Sequence, residues 1–198
     1  MKTVFTILIA LTISFGLKAQ NKYNINPIDT LPKLYLGLGT GIDNYTGMLG
    51  LNAKIRLYKL IYLRAGAGFG GWGTKLAAGL LIEQKPKSGW AYALTFTSSS
   101  GAENLNLQME VSNGFNSYTN KTVTLDLDKA NSLNLSLLHI WKLRKNKQFN
   151  IEFGYALPLS SDVYTVKDNS ELSNTSIKTL NMMQPGGVIL AIGFMFGM

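Results

Sequence analysis

From residue 34 onward, apolar side chains fall at every second position over stretch after stretch. Leu34, Leu36 and Leu38 alternate with Tyr35, Gly37 and Gly39, and Leu49, Leu51, Ala53, Ile55 and Leu57 alternate with Gly50, Asn52, Lys54, Arg56 and Tyr58. The period returns as Ile61, Leu63, Ala65, Ala67 and Phe69 against Tyr62, Arg64, Gly66 and Gly68, and as Leu76, Ala78, Leu80 and Ile82 against Lys75, Ala77, Gly79 and Glu83. A fifth stretch sets Trp90, Tyr92, Leu94 and Phe96 against Ala91, Ala93, Thr95 and Thr97. After a polar interval come Leu133, Leu135 and Leu137 against Asn134 and Ser136, then Phe149, Ile151, Phe153, Tyr155 and Leu157 against Asn150, Glu152, Gly154 and Ala156. The last is Val188, Leu190, Ile192, Phe194 and Phe196 against Ala191, Gly193 and Gly197. A period of two puts successive side chains on opposite faces, so each stretch predicts a strand with one greasy face.

Each stretch runs to about 9–11 residues, the length a tilted strand needs to cross a bilayer. In a soluble sandwich or lipocalin-like barrel, bulky apolar residues would face the core and charges would face solvent. Here the second face carries glycine, alanine, threonine and a few charges, which suits a narrow, filled, polar lumen with the greasy face toward lipid. Backbone groups in lipid must all be paired, so such a sheet has to close. The expected fold is all-β: a transmembrane up-and-down antiparallel β-barrel of eight strands over residues 33–198.

Ten strands are the alternative. Leu105, Leu107, Met109 and Val111 alternate with Asn106, Gln108 and Glu110, and Val123, Leu125 and Leu127 with Thr124, Asp126 and Asp128. With eight strands these segments form a tall hairpin beyond the membrane. With ten, 112–118 becomes an unusually long periplasmic turn.

Loop length sets the expected orientation. The turns near Lys59, over 84–88 and over 143–148 are short, as periplasmic turns are, whereas the intervals 99–130 and 160–185 are long, as surface loops are. Charge divides the same way: Lys33, Lys59, Lys85, Lys87, Lys142, Arg144, Lys145 and Lys147 gather at the short-turn end. Asp43, Glu103, Glu110, Asp126, Asp128, Asp162, Asp168 and Glu171 outnumber Lys121, Lys129, Lys167 and Lys178 at the other. Trp90 and Trp141 then belong to a periplasmic aromatic girdle, and Trp72, with Phe69, to the outer one.

The chain starts with a short basic head at Lys2, an apolar run from Val4 to Phe15, and Leu17-Lys18-Ala19 before Gln20. That pattern predicts a cleaved signal peptide over 1–19, followed by a periplasmic N-terminal segment over 20–32. An uncleaved anchor would need about 20 apolar residues. Cleavage removes Lys2 and Lys18 and lowers the formal charge from +8 to +6, a modest surplus that calls for no nucleic-acid partner. With no cysteine, disulfide, thiolate and iron–sulfur chemistry are excluded.

The lumen charges are the most concrete candidate site. Arg56 and Arg64 are expected nearly opposite each other across the second hairpin, an unfavourable placement without counter-ions. Glu83 and Glu152 project inward at the same end, so the four are expected to pair and plug the barrel. Asp126 and Asp128 share a face, but two carboxylates make a weak cation site and a solvated strand face is preferred. No cofactor or metal is expected. The glycines at 66–73 follow a strand but lack the lysine and helix of a phosphate loop, so they indicate close packing in the lumen and a tight outer turn.

The cleaved signal, the alternating strands, Gly70-Gly71-Trp72-Gly73, the segment from Phe153 to Leu159, and Gln184-Pro185-Gly186-Gly187 leading into Phe194 and Phe196 resemble the small outer-membrane β-barrel proteins of Bacteroidota, with an OmpA/OmpX-like barrel domain. The resemblance covers essentially the whole mature chain. It implies an integral outer-membrane location, contact with outer-membrane lipid, and periplasmic chaperones and the barrel-assembly machinery as partners in biogenesis. The terminal strand resembles the signal that machinery reads, with two departures: Gly197 and Met198 follow the aromatic position, and Ala191 stands where glycine is usual. Catalytic outer-membrane barrels need a histidine beside a serine or an acid. The single histidine here, His139, has Trp141 two residues on, where a deacylase has serine, and Ser136 lies on the opposite face. No enzyme is therefore expected; the role implied is structural, adhesive or interactive, with a narrow channel as the alternative and a surface ligand that no loop motif identifies.

Overall fold

A computed structural model describes residues 31–112, 118–161, 163–168 and 170–198. The signal peptide, most of the 20–32 segment and Asp162 lie outside them. Eight antiparallel strands close into a barrel: β1 (Leu34–Ile42), β2 (Leu49–Tyr58), β3 (Ile61–Gly70), β4 (Gly73–Glu83), β5 (Gly89–Ser99), β8 (Ala130–Lys142), β9 (Lys147–Pro158) and β11 (Gly187–Gly197). Each strand pairs with its neighbour in the chain apart from two longer excursions, and β1 meets β11 from Tyr35↔Gly197 to Ile42↔Leu190. The barrel has eight strands, as the alternation predicts.

The period-two pattern explains which way each side chain points. Leu38, Leu51, Phe69, Leu76 and Val188 are 56–70% exposed on the outer wall, while intervening residues such as Asn52, Lys75 and Ile189 turn inward. This is the reverse of a water-soluble barrel. One part of the interior departs from the expected polar filling. Tyr35, Tyr62, Leu81, Ala91, Ala93, Leu138, Ile140 and Met195 form a buried apolar cluster inside the short-turn end.

The segments in question for a ten-strand barrel lie outside the barrel. β6 (Ala102–Ser112) and β7 (Tyr118–Leu127) pair with each other, and β10 (Tyr164–Val166) adds to β7, giving a three-stranded sheet in the order β10-β7-β6. The break from β5 falls at Gly101, whose φ of 76° and contact with the Leu127 carbonyl leave no room for a side chain. The interval 160–185, expected as loop, also contains helix α1 (Asn174–Met183). Ser173 caps it by accepting from the Ser176 amide at 3.2 Å and donating to Glu110 at 2.7 Å. The Ser176 hydroxyl bridges the backbone N–H and C=O of Glu110, and Leu180 packs into Met109, Val111, Val123 and Leu125. Short polar links plus one apolar anchor hold the helix on β6.

Asp126 on β7 closes the other side of this sheet. It accepts from the Asn104 amide at 2.8 Å and pairs with Lys167 at 2.8 Å, and these contacts hold its carboxyl below the ordinary carboxylate range. A lowered pKa means the contribution is present above the unfolded-state value and is lost as pH falls through the lower, folded one. We therefore expect the Asn104 amide resonance to titrate below the usual carboxylate range and to stop titrating in Asp126→Asn. A midpoint at the ordinary value would show that the carboxylate does not hold this sheet.

Candidate functional site

Eight strands enclose an interior that side chains can fill, and here charged pairs fill much of it. Lys54, Arg64, Glu83 and Glu152 are each at most 4% exposed. The Arg64 guanidinium on β3 spans the lumen to Glu152 on β9 with two hydrogen bonds, 2.9 and 3.2 Å, and donates to Thr95 on β5 at 2.6 Å. Lys54 on β2 donates to Glu83 on β4 at 2.5 Å and to Gln148 on β9 at 2.8 Å, while Lys142 on β8 reaches the second Glu83 oxygen at 2.6 Å. The Lys54 ammonium also sits 4.6 and 4.5 Å from the ring centres of Tyr35 and Tyr62. The Arg64–Glu152 pair joins strands on opposite sides of the ring, while the Lys54, Glu83 and Lys142 contacts tie strands two or three places apart around it.

The expected pairing thus changes in detail. Across β2 and β3 the residue opposite Arg64 is Lys54, and Arg56 stands opposite Tyr62. Glu152 takes Arg64, and Glu83 takes Lys54 and Lys142. The register decides this, because the turn at Lys59 and Leu60 and the irregularity between Arg56 and Tyr58 shift the hairpin by two residues. Lys54 was visible on the same face in the sequence, but only the register puts it at the centre.

A second contribution comes from the β1–β2 connection, which folds into the long-loop end of the barrel. Asn44, Tyr45 and Thr46 are buried, and the Tyr45 ring lies 4.0 Å from the Arg64 guanidinium carbon. Asn44 donates to Thr46 at 2.9 Å, and the Gly47 amide donates back to the Asn44 carbonyl, making a compact turn. The wall admits this turn because it lacks side chains there: a Cβ on Gly66 would lie 2.2 Å from the Thr46 methyl, and one on Gly68 would lie 2.2 Å from the Thr46 carbonyl oxygen. The close packing expected from the glycine run has this loop as its partner. Above the turn, Thr97, Ser132 and Asn134 form a buried polar chain.

Of the girdle residues, Trp90 and Trp141 are partly exposed on the outer wall near the short turns, flanking His139 at ring-centre distances of 4.8 and 4.3 Å. Trp72 is not on that wall. It is 3% exposed, donates its indole N–H to the Asp128 carbonyl at 2.9 Å, and packs with Leu127, Ala130 and Val163. A tryptophan in a glycine-rich tip is free to fold over the rim, and here the base of the outer hairpin covers it. Asp126 is engaged by Asn104 and Lys167, and among the described residues no cluster of three or more histidine or acidic side chains is placed to hold a metal.

Comparison of the chain with protein-family models, with curated proteins and with solved structures finds no match in any of the three.

Removing one member of the Arg64–Glu152 pair strands a buried charge. Arg64→Met or Glu152→Leu alone is expected to lower the unfolding free energy by about 3–5 kcal/mol in urea titrations, and the double variant by much less than the sum. Additive losses would mean the two charges are not coupled. Gly66→Val should expel the inserted turn at an overpacking cost of about 1–3 kcal/mol, seen as chymotryptic cleavage after Tyr45 in a barrel that otherwise resists the protease.

Proposed function

We propose that the protein is an integral outer-membrane β-barrel with a closed lumen and a structural, adhesive or surface-interaction role. The observation that carries the reading is the inverted wall: large apolar side chains cover the outside while the charges are paired within. Water does not favour that arrangement, and a hydrocarbon surround does. The barrel strands of 9–13 residues suit an apolar band about 25 Å tall. Trp90, His139, Trp141 and Phe149, stacked beside the basic short turns, suit the headgroup level of one leaflet. The signal-like residues 1–19 and the likeness to small Bacteroidota barrels support export and assembly by the same route.

Plugging follows from the geometry of the two braces and the inserted turn. The apolar cluster at one end, the ion pairs above it and Tyr45 over Arg64 occupy successive parts of the lumen, which favours a non-conducting barrel over a narrow channel. A catalytic role has little support: His139 faces Trp90 and Ile151 across the sheet, on the outer wall. The ordered sheet and helix beyond the long-loop rim are the part offered to a surface partner.

Cell fractionation should recover the mature protein in the outer membrane, with unboiled and boiled samples migrating differently on gels. Identical migration with the protein in the soluble fraction would sink the membrane assignment. In planar bilayers the folded protein is expected to give no steady conductance, and the double variant Arg64→Ala, Tyr45→Ala to give openings. A wild-type channel would replace the plugged reading by the conducting one.

A further inference from the structure

A cleft of about 730 Å³ lies at the long-loop rim, within the size range of small-molecule sites. Its lining joins two surfaces that a barrel wall ordinarily keeps apart. Ile42 on β1, Leu190 and Ile192 on β11 and Phe153 on β9 face outward, and all four are 43–66% exposed. They form one continuous patch, since Ile42 pairs with Leu190 and Leu190 with Phe153. Met183, at the end of α1, lines the cleft too. So does Lys75 on β4, whose side chain is turned inside the rim.

Lys75 is the reason to expect a charged ligand. It is 4% exposed, and its ion-pair partner among the described residues, Asp43, lies 3.8 Å away, beyond hydrogen-bond distance. Asp43 is itself turned toward the Gly186 amide, at 3.3 Å. The ion pair is too long for a hydrogen bond, which leaves the ammonium's donors for an acceptor entering the cleft. Apolar wall at one end and an under-satisfied cation at the other define an amphiphile site with a negative head. A carboxylate is the smallest such head, and it adds only one negative charge beside Asp43.

We propose that the cleft binds a long-chain fatty carboxylate, with its chain along Ile42, Phe153, Leu190 and Met183 and its carboxylate on Lys75. The proposal rests on the membrane reading of the barrel, since the chain would reach the cleft along the lipid-facing wall. It goes beyond that reading by assigning a ligand class to one place on the rim.

The test uses the full mature protein in lipid nanodiscs, with cis-parinarate fluorescence as the probe, palmitate as competitor and hexadecanol as its uncharged counterpart. Expected are saturable probe binding above that of empty discs and displacement by palmitate. Lys75→Met should weaken palmitate by about tenfold, the worth of one charge-assisted hydrogen bond, and leave hexadecanol unchanged. Lys75→Arg should retain palmitate, and Met183→Asp should weaken both ligands. Heat-modifiable migration reports folding of every variant. Probe binding no greater than in empty discs, or equal palmitate affinity in folded Lys75→Met, overturns the proposal. Failure of the wild-type protein to enter the discs overturns instead the membrane reading beneath it.

Discussion

Closure of β1 on β11 is the constraint on which the other features depend. Eight strands that end on one another leave no unpaired edge, and the eight-residue register from Tyr35↔Gly197 to Ile42↔Leu190 completes the ring. Once the ring is closed, the pleat sorts every side chain to one of two surfaces. An interior of this diameter holds only what its own walls supply, so inward charges need partners from other strands. Arg64 with Glu152, and Lys54 with Glu83, meet that demand.

The same closure explains why glycine and tyrosine matter together. The β1–β2 turn can lie inside the barrel only because Gly66 and Gly68 leave the facing wall bare, and Tyr45 then covers the Arg64 guanidinium. A loop that folds inward shortens the lumen from one end while the apolar cluster shortens it from the other. In the proposed membrane setting both would work toward a barrel that stabilises its surroundings rather than conducting through them.

The outer sheet and α1 follow different physics. They bury a conventional apolar core, with Leu125, Val123 and Leu180 almost wholly covered, and they attach to the barrel through Trp72 and the Asp128 carbonyl. This small layered unit sits where the barrel's own alternation stops. Its core faces inward as in a water-soluble protein, whereas the barrel wall beneath it is reversed. The change in sidedness falls at Gly101 and the Asp128–Lys129 link, the two breaks between barrel strands and hairpin.

Period-two alternation predicted the eight barrel strands and the side each residue faces, because the direction of a side chain in a strand depends on parity alone; it left ten strands open, which the pairing of β6 with β7 outside the barrel decides. It also placed Arg64, Glu83 and Glu152 inside, for the same reason. Parity says nothing about which inward residues meet. That depends on register across a turn and on strand stagger around the ring, and these set Lys54 against Glu83 and moved Arg56 opposite Tyr62. Inward apolar residues such as Leu81 and Leu138 were masked by equally apolar outward neighbours, so the cluster at the short-turn end left no signal in the pattern. Trp72, Tyr45 and α1 lie where the period lapses, and there the contacts of the folded chain decide the outcome: a rim that Trp72 can cross, a wall of glycines that Tyr45 can enter, and a strand edge on which Ser173 and Ser176 can anchor a helix.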